Sequence, residues 1–113
     1  VSATLSTHVL DTMYGVPAAG ISVTLTGPNG ISASVTTNSD GRAPDLLAGI
    51  PALPAGAYRL SFGVADYFRA RGVYLPDPPF LDVVSIDFGL GATGHYHVPL
   101  LVSPFSYSTY RGS

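Results

Sequence analysis

Apolar and polar residues alternate along most of this chain. Ile21, Val23 and Leu25 interleave with Ser22, Thr24 and Thr26, and Ile31, Ala33 and Val35 resume the pattern beyond Gly27-Pro28-Asn29-Gly30. A period of two belongs to a strand with one buried face, so these two runs predict a hairpin. Tyr58, Leu60, Phe62 and Val64 alternate in the same way, as do Val84, Ile86 and Phe88. The first ten residues, His95 to Val102 and Tyr107 to Arg111 are further strand candidates. About seven or eight short strands with turn signals between them predict an all-β antiparallel sandwich or barrel.

Two stretches depart from alternation. Ala65 to Arg71 contains neither Gly nor Pro and predicts a short helix. Asn38 to Gly56 opens with the turn-forming Asn38-Ser39-Asp40-Gly41 and then carries Pro44, Pro51 and Pro54. It predicts a long, stiffened connection whose Leu46, Leu47 and Ile50 tuck against the core.

Composition narrows the classes. The 113 residues are 46% hydrophobic and 11% charged, enough apolar material for one packed core, so residues 1–113 are expected to form a single domain. Thirteen Gly and ten Pro leave little room for long helices. A net charge of −2 with no Lys argues against binding nucleic acid, which needs a basic face for phosphates. The lack of Cys excludes disulfide scaffolds and thiolate chemistry. Apolar runs fall far short of the ~20 residues of a membrane-spanning helix, and no leader pattern opens the chain. No membrane partner is expected; the cytoplasm is the expected compartment, with the periplasm and the peroxisome left open as alternatives.

The parity of the strands locates the chemistry. In the first strand Ala3, Leu5 and Val9 share one face, while Thr4, Ser6, His8 and Leu10 share the other. In the run beginning at His95, both histidines oppose Tyr96, Val98 and Leu100. The imidazoles therefore point away from the more apolar side. Histidine exchanges a proton near neutral pH, so converging imidazoles are suited to general acid–base work on a hydrolytic water. Arg42, just after Asp40-Gly41, is a candidate to hold an anionic substrate and stabilise an oxyanion. His-x-His on a strand face is also the spacing of a metal pair, although three His without Cys make a poor ligand set. No nucleophile elbow, phosphate loop or dinucleotide fingerprint occurs.

At these residues the sequence stops being generic. Leu5-Ser6-Thr7-His8-Val9-Leu10-Asp11-Thr12, Asp40-Gly41-Arg42, His95-Tyr96-His97-Val98-Pro99-Leu100-Leu101 and the terminal Tyr107-Ser108-Thr109-Tyr110-Arg111-Gly112-Ser113 resemble the hallmarks of the transthyretin-like proteins, in order and across the whole chain. The terminal Tyr-Arg-Gly-Ser is similar to that of the 5-hydroxyisourate hydrolases within that family. The Phe80 to Val84 segment, which lacks a Pro-Glu often found there, and the Gly89 to Gly94 turn depart from the family pattern.

The resemblance implies a transthyretin-type sandwich with one short helix, assembled as a homotetramer, a dimer of dimers with active sites at the dimer–dimer interface. It implies hydrolysis of 5-hydroxyisourate to 2-oxo-4-hydroxy-4-carboxy-5-ureidoimidazoline in urate degradation, without metal or organic cofactor. His8, His97 and Arg42 are carried over as catalytic. His8, Arg42, Tyr110, Arg111 and Ser113 are carried over as substrate-binding. His95 is expected to support the site or face solvent. The alternative within the same architecture is a small-ligand carrier without catalysis.

Overall fold

In the computed structural model, which describes residues 3–112, the alternating runs become strands. In chain order they are β1 (Thr4–Asp11), β2 (Val16–Pro17), β3 (Ser22–Thr26), β4 (Ser32–Thr36), β5 (Gly56–Gly63), β6 (Val83–Leu90), β7 (His95–Val102) and β8 (Tyr107–Thr109). One sheet has the order β2-β1-β7-β8 and the other β4-β3-β5-β6. The predicted hairpin is β3–β4, with Val23 opposite Val35 and Leu25 opposite Ala33.

Among the described residues every strand pairing is antiparallel except one. β1 and β7 run parallel in register from Thr4 beside His95 to Asp11 beside Val102. Alternation fixes which face of a strand is buried but not its direction, so the sequence pattern could not report this seam. Parallel neighbours need a long crossover, and here the whole second sheet supplies it.

Between the sheets lies a continuous core. Leu5 and Val9 of β1 and Val98, Leu100 and Val102 of β7 belong to one cluster with Val23, Leu25, Tyr58, Leu60, Phe62 and Val84 of the other sheet. Burying a side chain of this size stabilises the fold by about 1.5–3 kcal/mol, so the core fixes the register of β1 and β7 firmly. Their polar faces are thereby turned outward. Leu46 is buried and Leu47 and Ile50 pack against the cluster, as the irregular connection predicts; Leu53 joins them.

The helix, α1 (Val64–Ala70), starts one residue earlier than its composition suggests. Val64 ends the β5 alternation by becoming the first helical residue, and Val64, Ala65, Tyr67 and Phe68 form its buried stripe. Tyr67 reaches Asp11, at 1% exposure the most buried charged residue of the described chain. Its hydroxyl donates to Asp11 Oδ2 at 2.8 Å, while the Tyr14 N–H donates to Oδ1 at 3.0 Å. Buried carboxylates require such partners. Burial and the adjoining carboxyl group push the Tyr67 phenol up to about 12.

Candidate active site

The outward face of β1 and β7 carries the site. Parity places Thr4, Ser6 and His8 on it from β1, and the parallel register sets His95 beside Thr4 and His97 beside Ser6. Both predictions about the imidazoles hold: His97 is half-buried, His95 is exposed, and neither enters the core.

Arg42 arrives from the turn that opens the irregular connection. Asn38 Oδ1 accepts the N–H groups of Asp40 and Arg42 at 2.9 and 3.0 Å, and the Asn38 carbonyl accepts the Gly41 N–H at 2.9 Å. Gly41 has φ of 73° and lies so close to β1 that a Cβ would strike the carbonyl oxygen of Val9. Only glycine satisfies both conditions. The turn is laced to β1 by the Val9 N–H donating to the Gly41 carbonyl at 2.8 Å, and His8 and Arg42 form a bridge pair. The His8 imidazole closes the corner, its Nε2 lying 2.8 Å from the Asp40 carbonyl. A carbonyl only accepts, so Nε2 carries the hydrogen and, in neutral His8, Nδ1 carries the lone pair.

His97 is held from two sides. Ser6 Oγ lies 2.8 Å from its Nδ1, and its carbonyl accepts the Gly112 N–H at 2.7 Å. Gly112 rests against the ring: a Cβ there would come within 2.7 Å of His97 Cδ2. Burial depresses the His97 pKa below the ordinary histidine value, and the positive field of Arg42, His8 and His95 depresses it further. Both effects favour the neutral imidazole, the form that accepts a proton.

The structure thus places His8, bridged to Arg42, and His97, beside Ser6 two residues earlier on β1, on one face, with the exposed His95 at its rim. It does not bring the Arg111 guanidinium there. That group lies over the Tyr96 ring at 3.8 Å and donates to the His95 carbonyl at 3.2 Å, tying the terminal segment to β7. Tyr110 is 60% exposed and, with Arg111, Tyr96 and Phe88, lines a cavity of about 250 Å³. Ser113 lies outside the described residues. Among the described residues no metal-ligating cluster of three or more groups occurs, and the two histidines of His-x-His both engage Ser6.

The parts that sequence reasoning missed are hydroxyls. Thr4 Oγ1 lies 2.6 Å from His95 Nδ1, and Ser6 Oγ 3.1 Å from His95 Nε2. Their shared face with His8 was visible; their alignment with β7 was not. The larger concavity of the single chain, about 700 Å³, is elsewhere, at the ends of β3, β5 and β6 around Arg59 and Asp87.

Known proteins resemble this chain along nearly its whole length. The HIUase/Transthyretin family model matches residues 5–112. A 5-hydroxyisourate hydrolase of Ralstonia nicotianae is 55% identical, covering 96% of this chain and 97% of its own, and one of Pseudomonas aeruginosa is 51% identical over 96% and 90%. The solved structure of Klebsiella pneumoniae 5-hydroxyisourate hydrolase superposes with a TM-score of 0.83 at 37% identity, covering 97% of this chain and 99% of that one. Sea bream transthyretin in complex with thyroxine gives 0.79 at 30% identity, over 96% and 93%. With its parallel seam, its histidine-bearing outer face and a match along nearly its whole length, the chain belongs to the HIUase/Transthyretin family.

Proposed function

We propose that this chain is a 5-hydroxyisourate hydrolase, opening the cyclic amide of its substrate by attack of water on a ring carbonyl. The observation that carries the reading is one outer face on which β1 holds His8, bridged to Arg42, and, two residues earlier, Ser6, whose Oγ lies 2.8 Å from Nδ1 of the neighbouring His97. His97 Nε2, the ring nitrogen not turned to Ser6, takes the proton of the attacking water. His8, its Nε2 hydrogen committed to Asp40, offers the lone pair of Nδ1 to the water or to a substrate N–H. Arg42 balances the negative charge that develops on the carbonyl oxygen. Tyr110 and Ser113 keep the substrate-binding part that the family resemblance implies, although on its own chain Tyr110 lines the cavity beside Tyr96 and Phe88. Arg111 serves by anchoring the terminal segment.

The reading requires no metal and includes assembly as a homotetramer, a dimer of dimers. On a single chain the imidazole face is open, and water exclusion, which strengthens Arg42 as an oxyanion partner, comes from a facing copy. A hormone-type carrier has no use for two proton-exchanging groups beside a guanidinium, and relatives named as hydrolases are the more similar in sequence. The test follows the near-ultraviolet decay of freshly made 5-hydroxyisourate against buffer and against Arg42→Ala, His8→Asn and His97→Asn proteins. Acceleration by the native chain alone is the expected result. Unchanged rates in all three variants would overturn it. Sedimentation at micromolar concentration checks the assembly, where a monomer retaining full activity would contradict it.

A further inference from the structure

The outer face holds a continuous line of polar atoms that the hydrolytic scheme leaves unused. It runs from Thr4 Oγ1 to His95 Nδ1 at 2.6 Å, from His95 Nε2 to Ser6 Oγ at 3.1 Å, and from Ser6 Oγ to His97 Nδ1 at 2.8 Å. We infer that Ser6 and His95 are positioning residues for His97, a hydroxyl-linked chain that fixes which nitrogen of His97 carries hydrogen and takes up its proton during turnover. The inference rests on the hydrolase reading of the same site and extends it inward from the substrate.

Hydrogen-bond accounting permits few arrangements. A serine hydroxyl has one hydrogen to donate, so between two neutral imidazoles it donates to one and accepts from the other. In one ordering His97 Nδ1–H donates to Ser6, Ser6 donates to His95 Nε2, and His95 Nδ1–H donates to Thr4. His97 Nε2 then bears the lone pair that a general base needs. In the reverse ordering His97 Nε2–H is a donor, the form that a general acid needs. The chain couples its members, and the general-base step of the hydrolase reading selects the first ordering.

Surroundings favour export of the proton. Charge gathered on His97 would sit among the cations Arg42 and, when protonated, His8, and the groups that shift its pKa include no carboxylate. As water adds to the carbonyl carbon, its proton moves to His97 Nε2 and the carbonyl π pair becomes the oxyanion. The His97 Nδ1 proton passes to Ser6 Oγ, and the Ser6 hydroxyl proton passes to His95 Nε2. His95 is left as imidazolium at the exposed end of the line. The reverse movement returns one proton through His97 Nε2 to the departing amide nitrogen.

The test uses the full chain with 15N-labelled histidine, as native protein and as Ser6→Ala, Ser6→Thr and His95→Ala. In the native protein His97 is expected as the Nδ1–H tautomer. Ser6→Ala should lower that fraction severalfold, reduce kcat about tenfold or more with KM changed less than twofold, and turn a curved proton inventory linear. Ser6→Thr, which keeps the hydroxyl, should restore all three. His95→Ala, at an exposed position, should shift the tautomer in the same direction even if Ser6→Ala folds poorly. Folded variants with an unaltered His97 tautomer and an unaltered inventory would overturn the inference. The tautomer readout needs no turnover, so a native chain inactive on 5-hydroxyisourate would instead sink the hydrolase reading.

Discussion

Gly112 lies against the imidazole of His97, near enough that a methyl group in its place would come within 2.7 Å of the ring. Its N–H donates to the His97 carbonyl at 2.7 Å, so Gly112 braces the histidine-bearing β7 from outside. The glycine of the terminal motif is there for lack of a side chain.

Gly112→Ala should therefore act on the rate and spare the fold. A contact that short forces the imidazole aside and disturbs its alignment with the attacked carbonyl. Turnover is expected to drop about tenfold or more. The melting midpoint should move little, because the residue lies outside the core. Equal rates for the two proteins would show that the ring tolerates the shift.

Gly41→Ala should damage both. The left-handed backbone and the approach to the Val9 carbonyl make any side chain costly, by roughly 2 kcal/mol or more. Because the same turn delivers Arg42 to His8, activity should fall further than the unfolded fraction explains. Chemical denaturation and rates measured on one sample separate the two effects.

The acid limb of the rate profile should lie below the ordinary histidine pKa of about 6.5, since burial and Arg42 both disfavour His97 in its charged form. Removing the guanidinium in Arg42→Gln relieves a repulsion, so protonation becomes easier and the limb moves to higher pH. Linkage runs the same way. The folded pKa is depressed, so the stabilising contribution of neutral His97 is present above the unfolded value and lost as pH falls through the folded one. An acid limb unmoved by Arg42→Gln in the free enzyme would contradict the assignment.

Tyr67→Phe should cost about 1–3 kcal/mol by leaving buried Asp11 a partner short. In the native protein one tyrosine should titrate late, near 12. Its folded pKa is raised, so the associated stability persists below about 10 and is lost as pH climbs beyond it. Alkaline difference spectra of native and Tyr67→Phe proteins check this directly.

Much of this was legible in the residues. Alternation in Ile21 to Leu25 and Tyr58 to Phe62 announced strands because a half-buried strand must alternate, and parity alone put His8, His95 and His97 outside the core. The Asn38 to Gly41 turn was readable because few residue types accept its backbone. Strand direction was not, since β1 and β7 would bury the same faces whether parallel or antiparallel. The Ser6–His97 contact depends on that direction and stayed hidden with it. Asp11 was missed for a related reason: its place on the buried parity of β1 makes sense only once Tyr67 arrives from the helix.

Because β1 is completed by β7, from far along the polypeptide, the proposed reaction would report whether the two strands have met. A ribosome-bound chain that has not yet released β7 has His8 and Arg42 but nothing for them to work with. A cut in the loop between β4 and β5 would divide the histidines between two inert fragments. Their complementation would be scored by the reaction itself, with no attached reporter.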